Sequence, residues 1–128
     1  MKTIYIECLS EVPYNFTGIA IKSNGDKIWY QDGRFHRVDG PAIEEENGKT
    51  RAWLQNGKRH RTDGPAYEDE SGLSSWWQNG KNHRADGPAT IWEDGSADYW
   101  INGKQVTKET QEVYLFLFPE LIEEEKQK

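Results

Sequence analysis

Short runs of mixed apolar and polar residues alternate with turn signals along most of the chain. Runs such as residues 42–46 and 49–55 are bounded by Asn-Gly, Asp-Gly or Ser-Gly pairs. Asn-Gly and Asp-Gly favour the positive φ angles of tight hairpins, and the intervals between the turns are too short for helices. Consecutive hairpins pair with their neighbours. The pattern therefore predicts a mostly β protein, an antiparallel meander of repeated hairpins that forms one elongated, twisted sheet.

One sequence unit occurs three times, at residues 30–42, 54–66 and 77–89, and its shared part is N/D-G-K/R-x-H-R-x-D-G-P-A. The main-turn glycines are Gly33, Gly57, Gly80 and Gly103, which are 24, 23 and 23 residues apart. A fixed period of that size indicates a repeat array in which each unit packs on its neighbours. The fourth unit has Val106-Thr107 in place of His-Arg, as a terminal unit of such an array would.

The two ends of the chain depart from the repeat and are predicted to cap it. Residues 2–9 alternate in the manner of an edge strand, with Cys8 as a small buried residue. Thr107 can N-cap a helix that runs into the apolar residues 113–118 and breaks at Pro119, although this run also fits a strand. We expect one domain, with an N-terminal cap strand (1–17), hairpin repeats (18–106) and a C-terminal helical cap and tail (107–128).

Large side chains recur three and four residues before the main-turn glycines. The third position holds Tyr30, Leu54, Trp77 and Trp100, and the fourth holds Trp29, Trp53, Trp76 and Tyr99. Because neighbouring strand positions point to opposite faces, the sheet should have one aromatic column on each face. Either both columns pack between repeats, or the chain ends cover one column and the other is a binding surface.

Composition narrows the class of protein. The 128 residues include 16 Lys and Arg against 22 Asp and Glu, and the net charge of -6 argues against a general DNA binder. Only 34% of residues are hydrophobic but 12% are aromatic, so the apolar material is concentrated in large rings that support a folded core. The single Cys excludes an intramolecular disulfide. With no signal-peptide core and no run of 18 apolar residues, we expect a cytoplasmic protein without membrane insertion.

The three His-Arg-x-Asp segments are candidates for metal binding or catalysis. Their recurrent residues are His36, His60, His83, Asp39, Asp63 and Asp86. Equivalent residues of successive hairpins are two strands, about 10 Å, apart, whereas the nitrogens around one Zn each lie about 2.1 Å from it. We therefore expect no metal site and a structural role, with the rings bonded to turns and the carboxylates closing Asx-type turns. Without a nucleophile, phosphate loop or paired carboxylate outside the repeat, the sequence predicts neither an enzyme nor a cofactor.

The order of an aromatic residue, N-G-K, and a His three residues after the Gly, at a period near 23, resembles the MORN repeat over roughly residues 18–106. In MORN repeats a Gly normally follows the His, whereas Arg37, Arg61 and Arg84 stand there in this chain, and Asp-Gly-Pro-Ala lengthens the turn. This variant looks like a group of small proteins of bacteria and their phages. The resemblance implies a hairpin array used for protein association, with lipid headgroups as a second ligand class.

The arginines after the histidines are the first candidates for partner binding. A hairpin loop requires its Gly and Asp but has no steric need for an Arg at that position. The predicted partner-binding residues are Arg37, Arg61, Arg84, Tyr30, Trp77 and Trp100. On this interpretation, changing the three arginines to Glu should abolish binding with a modest loss of stability.

These features predict a non-catalytic module that binds another protein. By the resemblance, it would neutralise that protein as an inhibitor or antitoxin. Basic side chains collect along the long-turn edge of the predicted sheet and form an Arg-rich rim of Arg34, Arg37, Lys58, Arg59, Arg61, Lys81, Arg84 and Lys104. The alternative is a nucleotide or RNA binder that uses this rim beside exposed Trp rings. A third hypothesis is self-association through the open edges of the sheet.

Overall fold

The computed structural model describes residues 1–120 of the chain, except for the side chain of Glu46. These residues form one long mixed sheet of meandering hairpins and one C-terminal helix, which confirms the predicted fold class. The strands are β1 (Thr3–Ile6), β2 (Gly18–Lys22), β3 (Lys27–Gln31), β4 (Arg34–Phe35), β5 (Ile43–Glu45), β6 (Thr50–Ala52), β7 (Leu54–Gln55), β8 (Lys58–Arg59), β9 (Tyr67–Asp69), β10 (Ser74–Ser75), β11 (Trp77–Gln78), β12 (Lys81–Asn82), β13 (Thr90–Ile91), β14 (Ala97–Ile101) and β15 (Lys104–Val106). The helix is α1 (Lys108–Leu117), and short 3-10 turns occupy Leu9–Glu11 and Glu46–Gly48.

The strands of the main sheet follow the order of the chain. That order is β1, β2, β3, β5, β6, β9, β10, β13, β14, β15, with β4 paired to β3, while β7–β8 and β11–β12 form separate two-stranded hairpins. The pairings of the repeat array are antiparallel, as in the pairs of β5 with β6 and of β6 with β9. The edge strand β1 differs, because it pairs with β2 in parallel. A parallel neighbour needs a crossover connection, and residues 7–17 provide it. The antiparallel prediction concerned the repeats, and this parallel pairing lies outside them, at the edge formed by the N-terminal strand.

The main turns adopt the conformation that their Asp-Gly and Asn-Gly pairs predict. The φ angle is 50–52° at Asp32, Asn56, Asn79 and Asn102, and 78–81° at the glycines that follow them. Two successive residues with positive φ are typical of the type I′ turn, whose twist matches that of the flanking strands. The repeat is thus a hairpin because of its local turn chemistry.

The packed core lies in the N-terminal half of the sheet. One cluster joins Ile6, Phe16, Ala20, Ile28 and Tyr30, with Val12 packed against it, and a second joins Ala42, Ala52 and Leu54. The Phe16 ring meets the Tyr30 ring edge to face, at 5.9 Å between centroids. Both Phe16 and Val12 belong to the connection between β1 and β2, which therefore covers this face over the first repeats.

Cys8 lies in the same connection and is exposed, so its predicted burial was wrong. The reason is that β1 ends at Ile6, two residues before Cys8, and the inward and outward alternation of the strand ends with it.

The C-terminal helix begins where the repeat pattern ends. The Thr107 hydroxyl accepts a hydrogen bond from the Thr110 backbone N–H at 3.1 Å, which confirms the predicted N-cap. The apolar run is helical as far as Leu117. The predicted C-terminal tail lies outside the described residues from position 121 onward. Within the described part of the chain, no helix has the length and apolar character needed to cross a membrane.

Gln111 attaches this helix to the last complete repeat. Its side chain is almost fully buried, and its amide nitrogen donates to the carbonyl oxygens of Arg84 and Gly87, at 2.7 and 2.6 Å. Both carbonyls belong to the long turn of the third repeat. The helix therefore caps this turn.

We expect Gln111→Ala to lower the free energy of unfolding by about 2 kcal/mol, because two inward-facing carbonyls lose their donor. Urea denaturation followed by circular dichroism measures the loss. The matched control is Glu112→Ala, which alters the exposed neighbour on the same helix and should change stability by less than about 0.5 kcal/mol. Equal losses in the two variants would show that the helix is not anchored through Gln111.

Candidate binding groove

The recurrent arginines are part of the scaffold. In the second repeat the Arg61 guanidinium lies 3.9 Å above the Trp53 ring, its Nε donates to Asp63 at 3.0 Å and its Nη1 donates to the Pro65 carbonyl at 3.0 Å. Arg37 makes the same contacts with Trp29, Asp39 and Pro41, and Arg84 makes them with Trp76, Asp86 and Pro88. Each guanidinium thus ties a strand to the long turn that follows it.

These contacts give both recurrent residues a structural role. The carboxylates of Asp39, Asp63 and Asp86 bond to the arginine two residues earlier. The arginine joins strand to turn, and the glycine of Asp-Gly-Pro-Ala leaves room for its guanidinium. A Cβ on Gly64 would lie 2.8 Å from the guanidinium carbon of Arg61. The premise that made the arginines binding candidates is therefore wrong.

The recurrent histidines connect one repeat to the next. Nδ1 of His36, His60 and His83 accepts the backbone N–H of Asn56, Asn79 and Asn102, respectively, at 2.9–3.0 Å. Each donor is the first residue of the Asn-Gly pair in the following turn. A nitrogen that accepts a hydrogen bond has its lone pair engaged. Among the side chains that the structure describes, no three of His, Cys, Asp or Glu are grouped in a way that could hold a metal ion.

The chain's N-terminal segment takes the place of a preceding repeat in this ladder. In later repeats the turn glycine donates to the carbonyl of the residue before the His, as Gly57 does to Phe35. In the first turn, Gly33 donates instead to the Phe16 carbonyl at 2.9 Å, and Asp32 donates to the Thr17 hydroxyl at 2.9 Å. The pair Phe16-Thr17 therefore imitates the Phe35-His36 pair and closes the array.

The third-position column changes character along the sheet. Tyr30 is 8% exposed and belongs to the core, where burial raises the pKa of its phenol. Leu54 is also buried. Tyr30 was predicted to bind a partner, and its burial corrects this. Trp77 and Trp100 occupy the equivalent positions of the next two repeats, where they are half-buried and line an open groove of about 860 Å³.

The groove is aromatic on its walls and polar around them. Its lining includes Tyr67, Trp77, Trp92 and Trp100, with Arg59, Lys81, Asn82, Asp98 and Lys104. Trp53 and Arg61 line a separate cleft of about 560 Å³, and neighbouring strand positions point to opposite faces. The recurrent arginines and the groove therefore lie on different surfaces of the sheet.

Hydrogen bonds and stacking orient the groove side chains. Nε1 of Trp77 donates to the Ser75 hydroxyl at 2.7 Å, and Nε1 of Trp92 donates to Asp98 at 2.8 Å. The Arg59 guanidinium lies 5.2 Å from the Trp77 ring and 5.3 Å from the Tyr67 ring. The rings are thus positioned before any ligand arrives, which lowers the entropic cost of binding.

Two further groups shape the walls of the groove. Burial and the hydrogen bond to Asp69 raise the pKa of the Tyr67 phenol, which keeps this ring neutral. The Asn82 amide nitrogen donates to the Thr90 hydroxyl at 2.9 Å, while its Oδ1 is buried without a hydrogen-bond partner in the described part of the protein. Asn82 therefore has an unused acceptor.

The cations of the groove differ from the recurrent arginines in their ion pairing. Among the described side chains, Arg59, Lys81 and Lys104 form no salt bridge, whereas Arg37, Arg61 and Arg84 each pair with the Asp two residues later. Lys81 and Lys104 follow the turn glycines on one side of the groove. Asp98 lines the groove with them and bonds to Trp92.

Sequence reasoning identified Trp77 and Trp100, placed Arg59 only in the Arg-rich rim, and missed Tyr67 and Trp92. The missed signal is the variable residue of the repeat. It lies immediately before the His and follows the Lys or Arg that comes after the turn glycine. It is Phe35 in the first repeat, where it packs 5.3 Å from Tyr30, but Arg59 and Asn82 in the next two. The change from apolar to polar marks where the covered core ends and the open groove begins.

Comparison with protein-family models, with curated proteins and with solved structures finds no match to this chain.

Proposed function

We propose that the chain is a non-catalytic, MORN-like module that binds another protein, and that the aromatic groove is its binding surface. The observation that supports this function is the state of the third-position column. Its first two members are buried in the core, whereas Trp77 and Trp100 line an open groove. Large, pre-oriented rings that a partner can cover are typical of the residues that dominate binding energy in protein interfaces.

The surroundings of the rings also suit a protein partner. Trp, Tyr and Arg are the residue types enriched in the energetic centres of interfaces, and Trp77, Tyr67 and Arg59 form one stacked group here. Charged side chains such as Lys81 and Lys104 stand around this centre, as in the polar rim that excludes water from an interface. The inhibitor or antitoxin role is proposed on the family resemblance alone.

RNA binding is the second candidate, and the same groove motivates it. Trp rings beside cations are a platform on which bases stack while phosphates pair with Lys and Arg. The net charge of -6 opposes it, because a polyanion is repelled by the protein as a whole. RNA binding would also weaken steeply with added salt.

Affinity capture tests the proposed function. The immobilised chain is incubated with a nuclease-treated lysate of the organism that encodes it, and retained proteins are identified by mass spectrometry. We expect one protein to be retained by the parent chain and by an Arg34→Glu control. The Trp100→Ala variant should not retain this protein. Capture that is indifferent to Trp100→Ala, or that disappears with nuclease, would contradict the groove as a protein-binding surface.

A further inference from the structure

The chain itself shows how this face of the sheet is covered. In the N-terminal half, the connection between β1 and β2 places Val12 and Phe16 on the face, and the Phe16 ring packs against Tyr30 of the third-position column. The occupant there is a peptide segment that inserts an aromatic ring. In the C-terminal half the same column continues as Trp77 and Trp100, and the groove lies open.

The spacing of the two rings fits one inserted ring. Trp77 and Trp100 stand at equivalent positions of successive hairpins, two strands or about 10 Å apart. Atoms in contact are separated by about 3.5–4.0 Å, so a planar ring between the two side chains can contact both. Offset or edge-to-face packing of such rings contributes interaction free energy in addition to that from the area that it buries.

The charges of the groove define the rest of the ligand. Arg59, Lys81 and Lys104 have no salt bridges among the described residues, although the protein as a whole is acidic. These three cations are therefore available to form ion pairs with carboxylates of a partner. The turn between β13 and β14 lies at the end of β14 opposite Lys104, and it carries Glu93 and Asp94 next to the groove residue Trp92. A phosphate backbone, charged at every step, would meet these acids, whereas a peptide can place its carboxylates on the lysine side alone.

We infer that the groove binds an acidic segment of the partner protein, with one aromatic side chain seated between Trp77 and Trp100 and with carboxylates against Lys81 and Lys104. This inference rests on the proposed function, since it names the chemistry of the partner at that site. The segment covers the C-terminal half of the face as Phe16 and Val12 cover the N-terminal half.

Selection from a random library of displayed peptides tests the inference on the full chain. We expect the enriched sequences to combine Asp or Glu with Phe, Tyr or Trp. A synthetic peptide of the enriched sequence should lose about tenfold or more in affinity when its ring is changed to Ala, and a similar factor when its acids are changed to Gln. Intrinsic Trp fluorescence should change on binding, because two groove walls are Trp rings.

Variants of the chain locate the site. Lys81→Glu with Lys104→Glu should weaken the peptide by about tenfold or more, and Trp100→Ala should do the same. The control is Lys2→Glu with Lys108→Glu, which makes the same change in net charge at exposed positions outside the groove and should leave affinity within about twofold. Circular dichroism melts establish that each variant is folded.

Three results would overturn the inference. They are enriched peptides that lack either acids or rings, peptide affinity that the lysine and Trp100 variants do not change, and oligouridylate that displaces the peptide and binds more tightly. If capture from lysate depends on Trp100 but the library yields no acidic aromatic sequence, the proposed function stands and the inferred ligand class is wrong.

Discussion

Changing Arg37, Arg61 and Arg84 together to Glu is expected to unfold the protein. Each substitution removes a cation from the face of a Trp ring and a pair of hydrogen bonds, and it places a carboxylate beside the Asp that the guanidinium had paired with. A cation–π contact contributes about 0.5–2 kcal/mol, and a hydrogen bond to a charged group about 1.5–3 kcal/mol. The arginine side chains are about a quarter exposed, so solvent screening reduces these values.

The combined loss over three repeats is still several kcal/mol, comparable with the whole stability of a small domain. In a repeat array each unit is stabilised by its neighbours, so damage in all three complete units leaves no intact unit from which the fold can propagate. We therefore expect a loss of cooperative unfolding in urea. The modest effect predicted from sequence assumed only weak surface ion pairs between the arginines and the turn Asp residues, without the contacts to the Trp rings and turn carbonyls.

The matched control for this prediction is the triple change of Lys58, Lys81 and Lys104 to Glu. Both triple variants lower the net charge by two units at each of three positions, but these lysines are exposed and form no salt bridge within the described residues. The lysine variant should fold with a melting temperature near that of the parent while losing the acidic peptide. If the arginine variant is as stable as the lysine variant, the Arg–Trp–Asp contacts do not hold the repeats together.

Replacing Gly33 by Ala is expected to detach the N-terminal cover from the sheet. A Cβ on Gly33 would lie 1.8 Å from the backbone carbonyl oxygen of Tyr14. This is a steric clash, and only a movement of the backbone can remove it. Once that segment moves, the Gly33 hydrogen bond to Phe16 is lost and the Phe16 ring leaves the core. Exposure of one buried Phe costs about 1.5–3 kcal/mol, in addition to about 1–2 kcal/mol for Ala in the left-handed conformation.

The control variant Gly95→Ala carries only the cost of Ala in the left-handed conformation, without the loss of the Phe16 ring from the core. Gly95 has a similar positive φ, 86° against 78° for Gly33, but no atom lies within 4 Å of its ideal Cβ position. Urea denaturation should give a loss for Gly33→Ala that exceeds the loss for Gly95→Ala by about 2 kcal/mol or more. Hydrogen exchange should show lost protection at the Asp32 and Gly33 amides. Equal losses would mean that the segment around Tyr14 yields without cost and does not cover a core.

The local features of the fold were predictable from sequence because they depend on residues close together in the chain. A type I′ turn needs two residues that tolerate positive φ, and Asn56-Gly57 satisfies this wherever the pair stands. The helix start at Thr107 likewise depends on a hydroxyl three residues before the N–H that it bonds. The period of 23 to 24 residues then implied that these hairpins stack.

The candidate site was predictable only in part. Trp77 and Trp100 were found because their position repeats, but repetition also drew attention to Arg37, Arg61 and Arg84, which serve the scaffold. A recurrent residue in an array performs whatever every unit requires, and in this protein that is tying strand to turn. The positions that differ between units, such as Arg59 and Asn82, indicate where the groove lies.

By itself, the sequence determined the hairpins, their turn conformation and the start of the C-terminal helix, because short-range backbone preferences govern each of them. Only the tertiary structure decided that β1 runs parallel to β2, that the Tyr30 end of the column is covered and that the Trp100 end is open. Those outcomes depend on where the connection of residues 7–17 crosses the sheet. Its contacts join residues 14 to 19 positions apart, such as Phe16 with Tyr30 and Tyr14 with Gly33, and no local periodicity in the sequence encodes such pairings.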